Sequence, residues 1–299
     1  MSPPEQKSTA ADAQATVAPF YDESSNTFSY IVADPQTAAC AVIDSVMNFD
    51  QASGTISHEG ADQIIDYILR HNLELNWILE THVHADHLSA APYIKERLGG
   101  KMGIGSAITI VQETFGKVFN EGTDFQRDGS QFDRLFEDGD HLAVGKLSVE
   151  VLHTPGHTPA CMSYVVGDAV FVGDTLFMPD GGTARADFPG GDARELFRTI
   201  QKIFSLPDEY RIFVCHDYCP DGRKVEYQSS VEEEKRANIH VNSATSEDEF
   251  VHMREARDKT LGMPQLILPS LQVNMRAGHL PEAEETGQVF LKLPVNAFK

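Results

Sequence analysis

The side chains best suited to chemistry in this chain are concentrated in one short segment, THVHADH, at residues 81–87. It holds His82, His84, Asp86 and His87, and all four are common metal ligands. His82 and His84 are two positions apart, so both point to the same side of an extended segment. Histidine accounts for only 12 of the 299 residues, so three within six positions by chance is improbable. The segment therefore predicts a metal site.

Three further side chains stand at the ends of short apolar runs or in a tight turn. His157 lies in the Pro-Gly turn TPGHT, Asp174 ends the run AVFVGD, and His216 ends the run YRIFVCH. Because α/β sheets present their sites at the carboxyl ends of strands, we expect all three to join the cluster. The remaining histidines lack this context and are interpreted as structural or solvated.

The elements that must position these residues alternate between strands and helices along the chain. Strand-like runs occur at 28–34, 38–44 and 76–82, and residues 134–177 are rich in strands. Helical periodicity covers 60–72, 192–206, 230–240 and 246–259. This interleaving predicts a layered α/β protein. We expect a flexible tail at 1–17, a catalytic domain at 18–260, and an extension at 261–299 that packs on this domain with little regular structure.

The charge balance and the distribution of apolar residues exclude several classes of protein. The chain has 24 Lys and Arg against 45 Asp and Glu, a net charge of -21, which argues against nucleic acid or anionic membranes as partners. It contains no apolar run of the roughly 18 residues that a membrane-spanning helix needs. The N-terminus has neither a basic region nor an apolar core typical of a secretory signal, so we expect a cytoplasmic protein.

The complete pattern, HxHxDH followed by a distant His, Asp and His, resembles the metallo-β-lactamase superfamily over about residues 25–220. The resemblance implies an α/β fold of the αββα sandwich type, with two mixed β-sheets flanked by helices and the metal site at one edge. It also implies two adjoining metal sites. The first takes His82, His84 and His157, the second takes Asp86, His87 and His216, and Asp174 bridges them.

Within this superfamily, the runs at 81–100, 153–168, 173–192 and 214–223 resemble persulfide dioxygenases, also called sulfur dioxygenases. The run at 271–278, LQVNMRAG, resembles the tail of the bacterial group. This resemblance implies one Fe(II) per chain, held by His82, His157 and Asp174. A largely empty second site would comprise His84, Asp86, His87 and His216. The implied reaction oxidises glutathione persulfide with O₂ to sulfite and glutathione, and the resemblance also suggests a homodimer.

An anionic substrate needs local positive charge in a chain this acidic. Arg185, Arg223 and Arg276 are predicted to bind it, because each lies in a Gly-containing loop near a ligand segment or in the matching tail. Tyr218, two residues after His216, is predicted to supply a catalytic hydroxyl. Asp217 could orient a ligand imidazole.

Two alternatives stay open at this point. One is a glyoxalase II-like hydroxyacylglutathione hydrolase with two zinc ions, and the other is a metal-binding scaffold without catalytic activity. All seven ligand positions are filled with suitable residues, so the ligand set does not decide between iron and zinc.

Overall fold

The computed structural model describes residues 14–297. Its strands are β1 (Thr16–Asp22), β2 (Thr27–Ala33), β3 (Ala39–Ile43), β4 (Val46–Asp50), β5 (Thr55–Ser57), β6 (Glu74–Leu79), β7 (Leu88–Ser89), β8 (Lys101–Gly105), β9 (Arg134–Phe136), β10 (His141–Val144), β11 (Leu147–His153), β12 (Met162–Val166), β13 (Ala169–Phe171), β14 (Arg211–Phe213) and β15 (Gln228–Ser230). Its helices are α1 (Glu59–Arg70), α2 (Ala91–Leu98), α3 (Ile108–Val118), α4 (Ala193–Phe204), α5 (Val231–Ala237), α6 (Glu247–Asp258) and α7 (Ile267–Asn274).

Two six-stranded sheets form the centre of the fold. The first has the order β1-β2-β3-β6-β8-β9, antiparallel from β1 to β3 and parallel from β3 onward. The second has the order β10-β11-β12-β13-β14-β15 and is antiparallel except between β13 and β14. A small third sheet, β5-β4-β7, lies beside the first helix. Both large sheets are mixed, as predicted.

Alternation along the strands divides the core into layers. In β2, Tyr30 and Val32 pack between the two sheets against residues such as Phe171, whereas Ile31 packs on the opposite side. Helices α1, α2, α3 and α7 contribute to that outer cluster, and α4, α5 and α6 cover the far side of the second sheet. The predicted αββα sandwich is confirmed. No helix within residues 14–297 is long and apolar enough to cross a membrane.

Two sequence predictions need correction at the ends of the chain. Strand β1 begins at Thr16, inside the tail predicted for 1–17, because Thr16 pairs with Ala33 in the first sheet. Residues 1–13 lie outside the described part of the chain. The C-terminal extension also has more regular structure than expected, since Leu271 and Val273 of α7 are buried in the core of the first helical layer.

Candidate metal centre

Three strand ends that carry candidate ligands meet at one edge of the sandwich. The loop after β6 carries His82 and His84, β13 leads into Asp174, and β14 leads into His216. The two sheets are joined at this edge, because the Phe28 amide donates to the Cys215 carbonyl at 2.7 Å. The strand-end pattern in the sequence therefore brings the predicted residues together.

Three of these side chains form a tight buried group. The ligand atoms of His82, His157 and Asp174 all lie within 4.8 Å of one another. The Asp174 Oδ2 atom is 3.7 Å from His82 Nε2 and 3.6 Å from His157 Nε2. Two imidazoles and one carboxylate in this arrangement match the ligand set of non-haem Fe(II) oxygenases, in which the remaining coordination positions are open.

The residues predicted for a second site divide between two overlapping groups. His84, Asp86 and His87 form one, and His84, Cys215 and His216 form the other. The His216 Nε2 atom lies 3.2 Å from Asp174 Oδ1 and 3.4 Å from Asp86 Oδ2, so it links the two carboxylates.

Each candidate ligand imidazole is oriented by a hydrogen bond from its other nitrogen. His157 Nδ1 donates to the Arg185 carbonyl at 2.7 Å, and His87 Nδ1 donates to the Leu88 carbonyl at 3.2 Å. His216 Nδ1 donates to the Asn26 carbonyl at 3.2 Å. Because a carbonyl can only accept, these bonds place the proton on Nδ1 and leave the Nε2 lone pair facing the cluster.

Asp44 orients the remaining two imidazoles. Its carboxylate accepts hydrogen bonds from the Thr81 amide and hydroxyl at 2.7 and 2.8 Å, and the Thr81 hydroxyl oxygen in turn accepts from His82 Nδ1 at 3.0 Å. His84 is turned the other way, since its Nε2 donates to Asp44 Oδ1 at 3.0 Å. One buried carboxylate thus aims His82 Nε2 and His84 Nδ1 toward the centre.

Helix α7 holds the loop that carries His84 and His87 in place through the side chain of Asn274. The Asn274 side-chain amide donates to the carbonyls of His84 and His87, both at 2.8 Å, and its oxygen accepts from the Ser89 amide at 2.8 Å. Asn274 is buried. Its three hydrogen bonds fix the backbone between two candidate ligands.

Burial and neighbouring charges set the protonation of the cluster. Burial would raise the pKa of the Asp174 carboxyl, but the imidazoles of His216 and His82 outweigh it and hold this pKa well below its usual value. Burial lowers the pKa of His87 to about 4 and holds the pKa of His82 well below its ordinary value. The cluster therefore offers an ionised Asp174 carboxylate and neutral His82 and His87 near neutral pH. Burial would also lower the pKa values of His84 and His216, but neighbouring groups, chiefly Asp44 for His84 and Tyr218 and Asp174 for His216, hold both pKa values well above the ordinary value.

Several buried polar atoms in the cluster have no hydrogen-bond partner, which is costly unless another group satisfies them. They are His82 Nε2, His84 Nδ1, His87 Nε2, His216 Nε2 and Asp174 Oδ1. The four nitrogens are the atoms left free by the orienting hydrogen bonds, and all five atoms are suitable metal-ligand atoms. The residues present therefore fit a bound metal ion.

A cavity of about 610 Å³ opens onto the cluster. Asp86, His157 and Asp174 line it, together with Tyr218 and Arg185 among the predicted substrate residues. Tyr218 is 55 % exposed, and its ring stacks on that of His216 at a centroid distance of 5.7 Å. The Arg185 guanidinium pairs with Asp187 at 2.6 Å.

The other two predicted arginines are occupied elsewhere. Arg223 pairs with Asp217 at 2.6 Å and also with Asp180, so it holds the loop after His216 in place. Arg276 pairs with Glu121 at 2.7 Å and lies over the ring of Phe125. Arg223 and Arg276 are not among the described residues that line the cavity.

Sequence reasoning missed Asp44, Thr81 and Asn274, which orient the ligands, and two arginines of α6 at the cavity wall. Arg254 is buried and pairs with Asp258, whereas Arg257 also lines the cavity and makes no ion pair with any residue of the described segment. The strand-end position of Asp44, after the run AACAVI, was the available signal for that residue.

We expect the substitution Thr81→Val to weaken metal binding, because it removes the hydroxyl between Asp44 and His82 while keeping the side-chain shape. Loss of such an orienting partner typically costs about 10–100-fold in metal affinity. Titration of the metal-free protein with Fe(II) or Zn(II) measures the change. Thr55→Val, at an exposed strand position, is the matched control. Equal affinity in the two variants would contradict the orienting role.

Comparison with known proteins identifies the family. The sequence model of the metallo-beta-lactamase superfamily matches residues 24–216. The chain belongs to this superfamily. Its structure is similar to the crystal structure of ETHE1 from Myxococcus xanthus, with a TM-score of 0.70 over 88% of this chain and 100% of that one. The two sequences are 30% identical. It is also 30% identical to the human mitochondrial persulfide dioxygenase ETHE1, over 86% of this chain and 87% of that protein.

Two relatives with higher identity carry other names. A probable metallo-hydrolase of Burkholderia pseudomallei is 55% identical, over 94% of this chain and 99% of that protein. Glyoxylase B2 of Dictyostelium discoideum is 47% identical, over 96% and 99%. Membership of a superfamily of metal-dependent enzymes is thus established, together with the similarity to persulfide dioxygenases.

Proposed function

We propose that this protein is a persulfide dioxygenase with one Fe(II) per chain, bound by His82, His157 and Asp174. The observation that carries the proposal is the buried group of two imidazoles and one carboxylate within 4.8 Å. The similarity to persulfide dioxygenases, at 30% identity over most of both chains, favours one Fe(II) at this group over two zinc ions.

In the proposed reaction, glutathione persulfide reacts with O₂ and water to give glutathione and sulfurous acid, which ionises to sulfite. The terminal sulfur is oxidised, O₂ is reduced, the S–S bond breaks, and the glutathione sulfur leaves as the thiol. Fe(II) at the three-ligand site would supply the redox chemistry of oxygen transfer. The protein contributes ligand atoms already aimed by hydrogen bonds and a carboxylate that is ionised near neutral pH.

The cavity supports a substrate of the size and charge of a glutathione persulfide. Its volume of about 610 Å³ lies within the usual range of roughly 300–1,000 Å³ for small-molecule sites. Arg185 and Arg254 line the wall but are neutralised by Asp187 and Asp258. Arg257 is the guanidinium of this wall without an ion pair to the described residues, so we propose that it binds a substrate carboxylate.

We expect Arg257→Met to raise the KM for glutathione persulfide about tenfold with little change in kcat, because it removes binding energy away from the reacting sulfur. The measurement is the initial rate of O₂ uptake over a range of persulfide concentrations. Arg236→Met is the control, since Arg236 is an exposed helical arginine paired only loosely with Glu233 at 3.6 Å. An unchanged KM in Arg257→Met would remove Arg257 from the substrate site.

Tyr218 remains the proposed catalytic hydroxyl. Its ring stacks on His216, so its position is tied to the candidate ligand loop. From the cavity wall the hydroxyl would donate a hydrogen bond to the substrate or to oxygen.

Thioester hydrolysis is the second candidate, because relatives at 47% and 55% identity are named as a glyoxylase and a metallo-hydrolase. Paired assays separate the two reactions. Purified protein is given glutathione persulfide with O₂, or lactoylglutathione. Sulfite formation with one O₂ consumed per persulfide supports the dioxygenase. Thiol release from lactoylglutathione without O₂ uptake would overturn it, and activity in neither assay would favour the scaffold alternative.

A further inference from the structure

A second cavity, smaller and more enclosed than the first, lies behind the ligand loop. It is lined by Val83, Ala85, Val111, Phe115, Thr158, Pro159, Phe188, Pro189, Ile267 and Leu271. Val83 and Ala85 alternate with the ligands in HVHAD, so this cavity adjoins the metal centre on the side away from the ligand atoms. Thr158 directly follows His157, which places a second candidate ligand at its border.

Two residues form a shared wall between this cavity and the large open one. Ala85 and Phe188 line both. The Phe188 ring also lies edge-on to the His157 ring, with a centroid distance of 5.4 Å. A small molecule in the enclosed cavity is therefore separated from the metal centre by an alanine methyl group and one aromatic ring.

The lining is chemically unsuited to water. Thr158 has the only polar side chain among the lining residues, and its hydroxyl is already engaged with the Cys161 thiol at 3.1 Å and the Ala160 amide at 3.3 Å. Enclosed apolar cavities stay dry and accept apolar guests such as xenon. O₂ is an apolar diatomic that also dissolves better in apolar media than in water.

Size excludes the larger substrate. The cavity has a volume of about 20 Å³, compared with the roughly 10–15 Å³ that one water molecule needs. One diatomic molecule fits this space, but a glutathione persulfide does not. The two reactants would thus reach the metal from different sides.

We propose that this enclosed cavity, bordered by Val83, Val111 and Phe188, is a holding site for O₂ that delivers it past Phe188 to the metal centre. The proposal rests on the proposed dioxygenase function. It predicts that reducing the cavity volume impairs the use of O₂ without affecting the use of persulfide.

The test uses the iron-loaded full chain and the variant Val111→Ile, which adds one methylene group at the far wall. We expect the KM for O₂ to rise at least about threefold, while kcat at saturating O₂ and the KM for persulfide stay unchanged. Val118→Ile is the control, because it makes the same change on α3 at a residue outside the lining. Crystals pressurised with xenon should show the gas in this cavity in the wild type and not in Val111→Ile.

The outcomes are separable from failure of the proposed function. An unchanged KM for O₂ in Val111→Ile, or a wild-type cavity without xenon, would overturn the O₂ site while leaving persulfide oxidation intact. A wild-type protein that oxidises no persulfide would overturn the proposed function and, with it, this inference. Equal rises in KM for O₂ in both variants would also overturn it, because the effect would then not depend on this cavity.

Discussion

Replacing Asp174 with asparagine is expected to abolish metal retention and turnover. The carboxylate lies within 3.7 Å of the Nε2 atoms of His82, His157 and His216 and is the negative charge of the central group. An amide has nearly the same shape but carries no charge. Since loss of an orienting residue alone costs about 10–100-fold in metal affinity, we expect loss of this ligand to cost more than about 100-fold.

Metal analysis of the purified variant, together with its rate of O₂ uptake, measures the effect of Asp174→Asn. The matched control is Asp66→Asn on α1, where the aspartate is exposed and forms a surface pair with Arg70. Asp66→Asn should retain full metal content. If Asp174→Asn bound metal as tightly as Asp66→Asn, the assignment of Asp174 as a ligand would be refuted.

The variant Asn274→Asp is expected to weaken metal binding, although Asn274 is not itself a candidate ligand. Aspartate still accepts from the Ser89 amide, but its carboxylate cannot donate to the carbonyls of His84 and His87. Two buried carbonyls lose their donor and face a negative charge. We expect unfolding to become easier by about 1–3 kcal/mol and metal affinity to fall about 10–100-fold.

Two measurements separate a positioning role from a purely structural one. Denaturant titration of the metal-free protein gives the stability change, and metal titration under conditions where the variant is folded gives the affinity. Asn72→Asp, at an exposed position after α1, is the control. If Asn274→Asp were less stable but bound metal with unchanged affinity, the hydrogen bonds of Asn274 would support the fold without positioning the candidate ligands.

The ligand set could be predicted because the fold places it at strand ends. The spacing in THVHADH is local, and the apolar runs before Asp174 and His216 mark the strands that lead to them. Once the sheets form, these ends meet at one edge, so local pattern and three-dimensional position agree. The same logic applied to Asp44, but a single strand-end aspartate is a weak signal on its own.

The orienting and substrate residues could not be predicted in this way. Asn274 lies 190 residues from His84 in sequence, and its role depends on how α7 packs against β7 of the small third sheet. The arginines illustrate the same limit. Arg223 and Arg276 lie in segments that the sequence suggested for substrate binding. In the folded chain, however, Arg223 forms an ion pair with Asp217, and Arg276 forms one with Glu121.

One surface position shows how periodicity can also fail locally. The helical pattern of α1 groups Leu69 with Ile64, Ile65 and Ile68, but Leu69 is 58 % exposed while the isoleucines are buried. At 100° per residue, Leu69 lies at the edge of the buried stripe, beyond Ile65, so its side chain stays in water.

Metal content of protein purified from cells grown with both iron and zinc available tests the central claim most directly. Inductively coupled plasma mass spectrometry of the wild type gives the number of each metal per chain. A mononuclear site of His82, His157 and Asp174 predicts about one iron per chain and little zinc. About two zinc ions per chain would contradict that site and favour thioester hydrolysis.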